Sequence, residues 1–357
     1  MIPRLLALPL MIAALAVTVR SGASGFKDVL DTPALKSTLA QKTLLNGVTR
    51  AGKRLVSVGW RGHILYSDDQ GKSWSQAQVP VSSDLAAVHF PSPEKGWAVG
   101  HEGVVLHSPD KGVTWTRQFD GREAARVMIS HYTEHPPKDL HGGAEARQRF
   151  MNEVKQFEQE GPDKPFLDVW FDDEKTGFIV GTFNLIFQTV DGGRTWEPWF
   201  DRTENPKRLH LYAVRRIGQD LFICGEQGLV LKLDRQSRRF RLCTVPHKGT
   251  FFGITGKPGK VIVFGLRGHA FRSLDNGAHW QKVETRVQAG LNGATLTEDG
   301  CILLVSQGGQ LLVSCDDGRS FDPVKTGRPV PASAIVALDR ETLLLVGLLG
   351  LQSKRFR

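Results

Sequence analysis

The sequence predicts an all-β chain, a seven-bladed β-propeller whose last blade is completed by an N-terminal strand and which carries one helical insertion. Three observations predict it. A turn of the form Ser/Thr-x-Asp-x-Gly-x-x-Trp recurs along the chain, the aromatic residues that end it stand about 40 residues apart, and each interval divides into four short apolar segments punctuated by Gly, Pro, Asn or Asp.

Four copies of the turn are complete: Ser67, Asp69, Gly71, Trp74; Ser108, Asp110, Gly112, Trp115; Thr189, Asp191, Gly193, Trp196; and Ser273, Asp275, Gly277, Trp280. A fifth, Ser314, Asp316, Gly318, Phe321, ends in another aromatic. The Asp carboxylate can accept hydrogen bonds from its own loop, the hydroxyl adds another, and Gly takes a positive φ without steric cost. The aromatic ring packs inward and pins the turn. These residues are structural, with no catalytic role expected.

From Trp74 to Trp115 and from Trp280 to Phe321 the step is 41 residues, and from Phe240, which ends a degenerate copy at 232–241, to Trp280 it is 40. One four-stranded blade has this length. First strands are expected to begin at Leu45, Leu85, Phe166, Leu211, Phe251, Leu291 and Ile335, which makes seven units. The last unit runs out at 354–357 with three strands, so residues 26–30 are expected to supply its outer strand and remove an open edge. Truncation past Leu30 should then destabilise the ring.

One step is twice too long, 81 residues from Trp115 to Trp196. The surplus, about 120–164, reads as two helices at 122–135 and 144–159 separated by Pro136-Pro137 and Gly142-Gly143. Phe150, Val154 and Phe157 share one helical face suited to docking on the ring.

Composition is that of a globular chain, 40% hydrophobic and 23% charged over 357 residues, which excludes global disorder. Arg4, the apolar run 5–19 and the small residues Ser21, Gly22 and Ala23 read as a signal peptide over 1–23, leaving a mature propeller of 24–357 in the periplasm, or in a thylakoid lumen if the host photosynthesises. The run is short for a membrane span and no cysteine stands near the cleavage point, so neither an anchor nor lipidation is expected. The net charge of +9 gathers at Lys207, Arg208, Arg215, Arg216, Lys232, Arg235, Arg238, Arg239 and Arg241. Export argues against nucleic acid, and the stretch reads either as a surface for an anionic protein, glycan or lipid headgroup or as solvated loop charge. Cys301 and Cys315 lie symmetrically about the turn at 307–309; buried free thiols are the first reading and a disulfide the second. Cys224 and Cys243 fall on strands separated by a third and are not paired.

Turns between second and third strands share a face with the connections between blades, and the insertion belongs to that face. It presents Trp60, Arg61 and His63, the matching Arg267 and His269, and at equivalent positions His101, Glu102, Phe183, Asn184, Glu226 and Gln227. Loops on a rigid ring are the usual seat of function, and these residues are the candidates for gripping an anionic or peptide partner, with the insertion as lid or second surface. No phosphate loop, His-Glu-x-x-His or zinc-spaced cysteine pair is present, so no cofactor or metal is expected.

The longer repeat Val-Gly-x-x-Gly-x-x-x-x-Ser/Thr-x-Asp-x-Gly-x-x-Trp, at 99–115 and 180–196, resembles the propeller family of photosystem II assembly and stability factors. That resemblance implies a seven-bladed, exported scaffold that binds a protein of a membrane complex without catalysis, with a different target in hosts that do not photosynthesise; a monomer is expected. The helical insertion departs from the simplest family pattern, and the family's basic patch cannot be matched residue by residue. Sialidase-like glycosidases share the Asp-containing turn and form the rival reading, which needs an arginine trio and a tyrosine nucleophile drawn from Tyr66, Tyr132 or Tyr212. A carbohydrate-binding propeller is the third, with Trp60 as its flat aromatic.

Overall fold

The computed structural model describes residues 27–137, 143–325 and 327–356. The expected signal peptide, 1–23, and Phe26 of the expected closing strand lie outside the described residues. Seven antiparallel sheets follow one another along the chain, each built from consecutive strands; six have four strands and the last has three. First strands start at Leu45, Leu85, Phe166, Leu211, Phe251 and Leu291 as expected, and the last at Ala334, one residue early.

The second strand of each blade explains why the sheets pack into a ring. Gly96–Gly100 and Gly177–Gly181 are buried at every position because both faces of the strand meet a neighbouring blade, so their sequences are apolar throughout. Cores therefore lie between blades: Val56, Val58 and Ile64 of the first pack with Leu85, Ala98, Leu106 and Trp115 of the second. First strands line a central channel. Six of them carry a register shift near the start, which adds one residue there, Asn46, Ala86, Leu167, Tyr212, Phe252 or Asn292, and all six line the channel.

The repeated turn has the bonding its residues imply. In the second copy the Ser108 hydroxyl donates to Asp110 Oδ1 at 2.9 Å and accepts from the Gly112 N–H at 2.8 Å, while Asp110 accepts from the Thr114 N–H at 2.9 Å. The Trp115 indole N–H donates to the Gly112 carbonyl at 3.0 Å, and its ring is buried edge-on to Phe90. The other copies repeat the hydroxyl-to-Asp bond. In the third, Trp196 is buried but its indole N–H lacks the corresponding acceptor.

Closure differs from expectation. Residues 27–31 do not form the fourth strand of the last blade: Val29–Asp31 is a single 3₁₀ turn whose Leu30 is buried among Val79, Val81 and Leu85, between the first two blades. The Ser82 N–H donates to the Val29 carbonyl and Arg117 to the Leu30 carbonyl, so local bonds to blades one and two hold this segment instead. Blades seven and one meet through side chains, with Leu338, Leu344 and Val346 packed on Leu45, Leu55 and Leu65, and with Arg50 donating to the carbonyls of Ala337 and Leu338.

The insertion is a helical hairpin, α1 (Gly121–Glu134) and α2 (Gly143–Glu160). Asp120 caps α1 by accepting from the Arg122 and Glu123 N–H groups. Phe150, Val154 and Phe157 are buried on the ring side as the periodicity predicts, against Tyr132, Met128 and Phe200. The Tyr132 hydroxyl donates to Asp201 at 2.9 Å and Arg208 holds Glu153. No helix among the described residues is long and apolar enough to cross a membrane. Cys301 and Cys315 are bridged, their Cα atoms 4.3 Å apart just beyond the ends of two paired strands, which corrects the free-thiol reading; Cys224 and Cys243 are free.

Candidate functional site

On the face opposite the Asp-containing turns, five blades share one tight turn. Its middle residue is Arg61, Glu102, Phe183, Gln227 or Arg267, each with φ between 51° and 56°. The next residue is also left-handed and presses on the adjoining blade connection: a Cβ on Gly268 would lie 1.9 Å from the Val287 carbonyl oxygen. Glycine is therefore required there in four of the turns. In the third blade Asn184 replaces it, buried, donating to the Phe200 carbonyl and accepting from Thr203 and Asn205.

This backbone makes the middle side chain project. The Arg61 N–H is held by Asp84 Oδ1 at 2.7 Å and the Phe183 N–H by His210 Nδ1 at 2.9 Å, each partner standing just before the next blade's first strand. Left-handed conformations cost non-glycine residues on the order of 1 kcal/mol, so these turns are over-determined by their surroundings. Among the described residues neither the Arg61 nor the Arg267 guanidinium has an ion-pair partner. Trp60 and Phe183 are each 47% exposed.

Other candidates are placed differently. His63 is buried, hydrogen-bonded to the Leu35 carbonyl and 3.4 Å from the Thr43 hydroxyl, and burial holds its pKa below the usual range. His269 turns toward His247, with the two imidazole nitrogens 3.3 Å apart. Glu226 accepts from the His210 N–H. His101 is exposed, and Glu102 is half-buried with one carboxylate oxygen unpartnered. The face thus presents Trp60, Arg61, His101, Phe183 and Arg267, while His63 and Glu226 serve the fold.

The channel holds what sequence reasoning missed. Asp168, buried on the first strand of blade three, accepts from the Val214 N–H at 2.8 Å and from Arg215 of blade four. Burial pushes the Asp168 carboxyl up, against the pull of Arg215. Trp170 stacks on His89 and lies 5.8 Å from the Arg215 guanidinium. A lone Asp in the apolar run 166–171 and an Arg in the run 211–217 were the available signals.

Most of the basic stretch is spent internally. Arg208 pairs with Glu153, Arg215 with Asp168, Arg216 with Asp172, Lys232 with Asp220, Arg238 with Glu197 and Arg241 with Glu204. Apart from Lys232–Asp220 within blade four, these bonds tie blade four to blade three, to the connection between them and to α2, while Arg238 and Arg241 stay exposed to solvent. The two arginines lining the channel, Arg215 and Arg216, are both paired with carboxylates. Of the tyrosines, Tyr132 is buried against Asp201, Tyr66 lies under Arg54, and burial raises the pKa of Tyr212.

Comparison with known proteins agrees with this architecture. The chain is 23% identical over 158 residues to the Photosystem II assembly lipoprotein Ycf48 of Synechococcus sp. (strain CC9902), across 43% of this chain and 47% of that protein. It is 25% identical over 165 residues to the protein of that name in Prochlorococcus marinus, across 45% and 48%. The chain thus spans about half the length of the curated relatives it matches. In fold it is similar to the solved structure of YCF48 bound to D1 peptide, with a TM-score of 0.63 at 14% identity over 91% of this chain and 99% of that one. It is also similar to YCF48 from Cyanidioschyzon merolae, with a TM-score of 0.63 at 15% identity over 91% and 98%, and to the WD40 propeller domain of Doa1, with a TM-score of 0.59 at 10% identity over 92% and 96%. The family model described as Photosynthesis system II assembly factor YCF48 matches residues 31–126 and 151–281, its two segments are parted within the α1–α2 hairpin and together cover well over half of the sequence; the chain belongs to that family.

Proposed function

We propose that this chain is an exported, monomeric, non-catalytic assembly scaffold that holds an extended segment of a membrane-complex subunit on its mouth face. The observation that carries the reading is the display of two guanidinium groups, Arg61 and Arg267, with no ion-pair partner among the described residues, on left-handed turns of a rigid ring, with Trp60 exposed next to Arg61 and Phe183 exposed on the equivalent turn of blade three. Arg forks suit carboxylates and backbone carbonyls, and aromatic rims suit an extended peptide. A relative of the same fold is known bound to D1 peptide, which supports a photosystem II subunit as the target in a photosynthetic host. The Cys301–Cys315 disulfide supports an oxidising compartment, as does the lipoprotein name of the relatives.

The test is affinity capture from detergent-solubilised membranes of the native host, with the wild type beside Arg61→Ala/Arg267→Ala. Retention of one membrane-complex subunit by the wild type and its loss in the variant is the expected result. Equal retention by both moves the site off this face. Cleavage of a sialoside by the same material overturns the scaffold reading in favour of the glycosidase.

A further inference from the structure

Five of the eleven exposed large hydrophobic side chains of the described residues border the seam between blades seven and one: Leu35, Leu39, Trp60, Leu348 and Leu349. They are 78%, 60%, 47%, 63% and 53% exposed. The backbone brings them together. Segment 34–44 stands in for a connection between blades seven and one: a Cβ on Gly350 would lie 2.0 Å from the Gln41 carbonyl oxygen, the Trp60 N–H donates to the Leu44 carbonyl at 3.1 Å, and Gly62 packs on Ala34. The Leu348–Leu349 tip, Trp60 and the Leu35 and Leu39 loop, which also bonds Gln76 of the outer strand of blade one, therefore border the same seam and make up its rim.

The charged side chains that the rim's own segments carry have one sign. No Asp or Glu occurs between Asp31 and Asp68, nor after Glu341, while Lys36, Lys42 and Arg61 interleave with the apolar residues. Lys36 and Lys42 have no ion-pair partner among the described residues. The carboxylate that reaches the rim, Asp84, is engaged by the Arg61 N–H. Apolar side chains carried singly on protruding tips, with a Trp at the boundary and lysines between them, match the polar–apolar gradient of a bilayer surface better than the recessed core of a protein interface.

We infer that this rim docks on the anionic surface of a membrane, the leucines entering the headgroup boundary and the lysines meeting lipid phosphates. The inference rests on the reading that the mouth face meets a membrane complex, and it adds an orientation: the seam between blades seven and one touches lipid and turns the Arg61 turn toward the target.

The test is flotation of the full chain with vesicles of phosphatidylcholine containing about one-third phosphatidylglycerol, and with phosphatidylcholine alone, comparing wild type with Leu39→Ser/Leu348→Ser/Leu349→Ser and with Lys36→Glu/Lys42→Glu. Any contribution of residues 1–26 is common to all, so the differences report the rim. The wild type is expected to float with the anionic vesicles and to be released at about 0.5 M NaCl, and each variant to lose about tenfold or more in partitioning. Circular dichroism melts check that the variants are folded. Flotation of folded variants equal to wild type overturns the inference. So does loss of partner capture from detergent by the leucine variant, which makes the rim a protein interface, or a change of its mass in light scattering, which makes it a contact between copies. Retained capture with lost flotation separates this inference from the proposed function.

Discussion

Asp168 and Arg215 join blades three and four from inside the channel, the carboxylate buried and the guanidinium reaching it across the gap while the Val214 N–H supplies a second bond to the same oxygen. Removing one partner of such a pair strands the other. Arg215→Ala is expected to cost on the order of 2 kcal/mol in urea unfolding, and the double variant Asp168→Asn/Arg215→Leu less than that. The raised pKa of Asp168 sets the sign with pH: the stranded carboxyl is tolerated when protonated, so the deficit of Arg215→Ala should shrink as pH falls.

A second pH effect has the opposite sign. Burial, with Arg215 nearby, holds His89 down to about 3 from an ordinary value of 6.5, and its Nδ1 accepts the Phe171 N–H. Between those values the unfolded chain binds a proton that the folded chain refuses, so this contribution is lost as pH drops from about 6.5 toward 3. His89→Gln should flatten the fall of stability with acid by up to about 1.4 kcal/mol per pH unit, read as urea midpoints at pH 7 and pH 4.5.

The Cys301–Cys315 bridge closes a short loop within blade six. Cys301→Ala/Cys315→Ala should lower stability by about 2–3 kcal/mol. Thiol titration of the denatured chain is expected to find two groups before reduction and four after. In the native chain both free thiols should react slowly, because burial raises Cys224 well above the usual range and Cys243 to about 11.

The Asp-containing turns act through their aromatic. Trp115→Ala should cost about 3–5 kcal/mol, since the ring is buried and its N–H closes the turn. Partner capture by the surviving folded fraction is expected to be unchanged, because these turns lie opposite the mouth.

The sequence carried the repeating parts well because each blade announces itself locally. Trp74, Trp115, Trp196, Trp280 and Phe321 mark hairpins whose bonds lie within eight residues, and Phe150, Val154 and Phe157 mark a helix face at one turn's spacing. What depends on contacts between blades was not legible. Nothing local to Leu30 says that it enters the core beside Val81 instead of pairing with the last strand, and nothing near Arg216 names Asp172, 44 residues away. His63 and His269 sit at equivalent positions after the same turn, yet one is buried and the other faces His247, because the segments packed on them differ.

The seam between blades seven and one has a consequence for how the molecule is made. Arg50 waits for carbonyls 287 and 288 residues downstream, so the first blade emerges from the ribosome with one flank bare and stays so until the last blade exists. Closing so distant a contact is entropically late and slow. Through synthesis and any passage across a membrane, Leu45, Leu55 and Leu65 stand as an open apolar flank, which makes the half-built ring, more than the finished one, the form most in need of a chaperone.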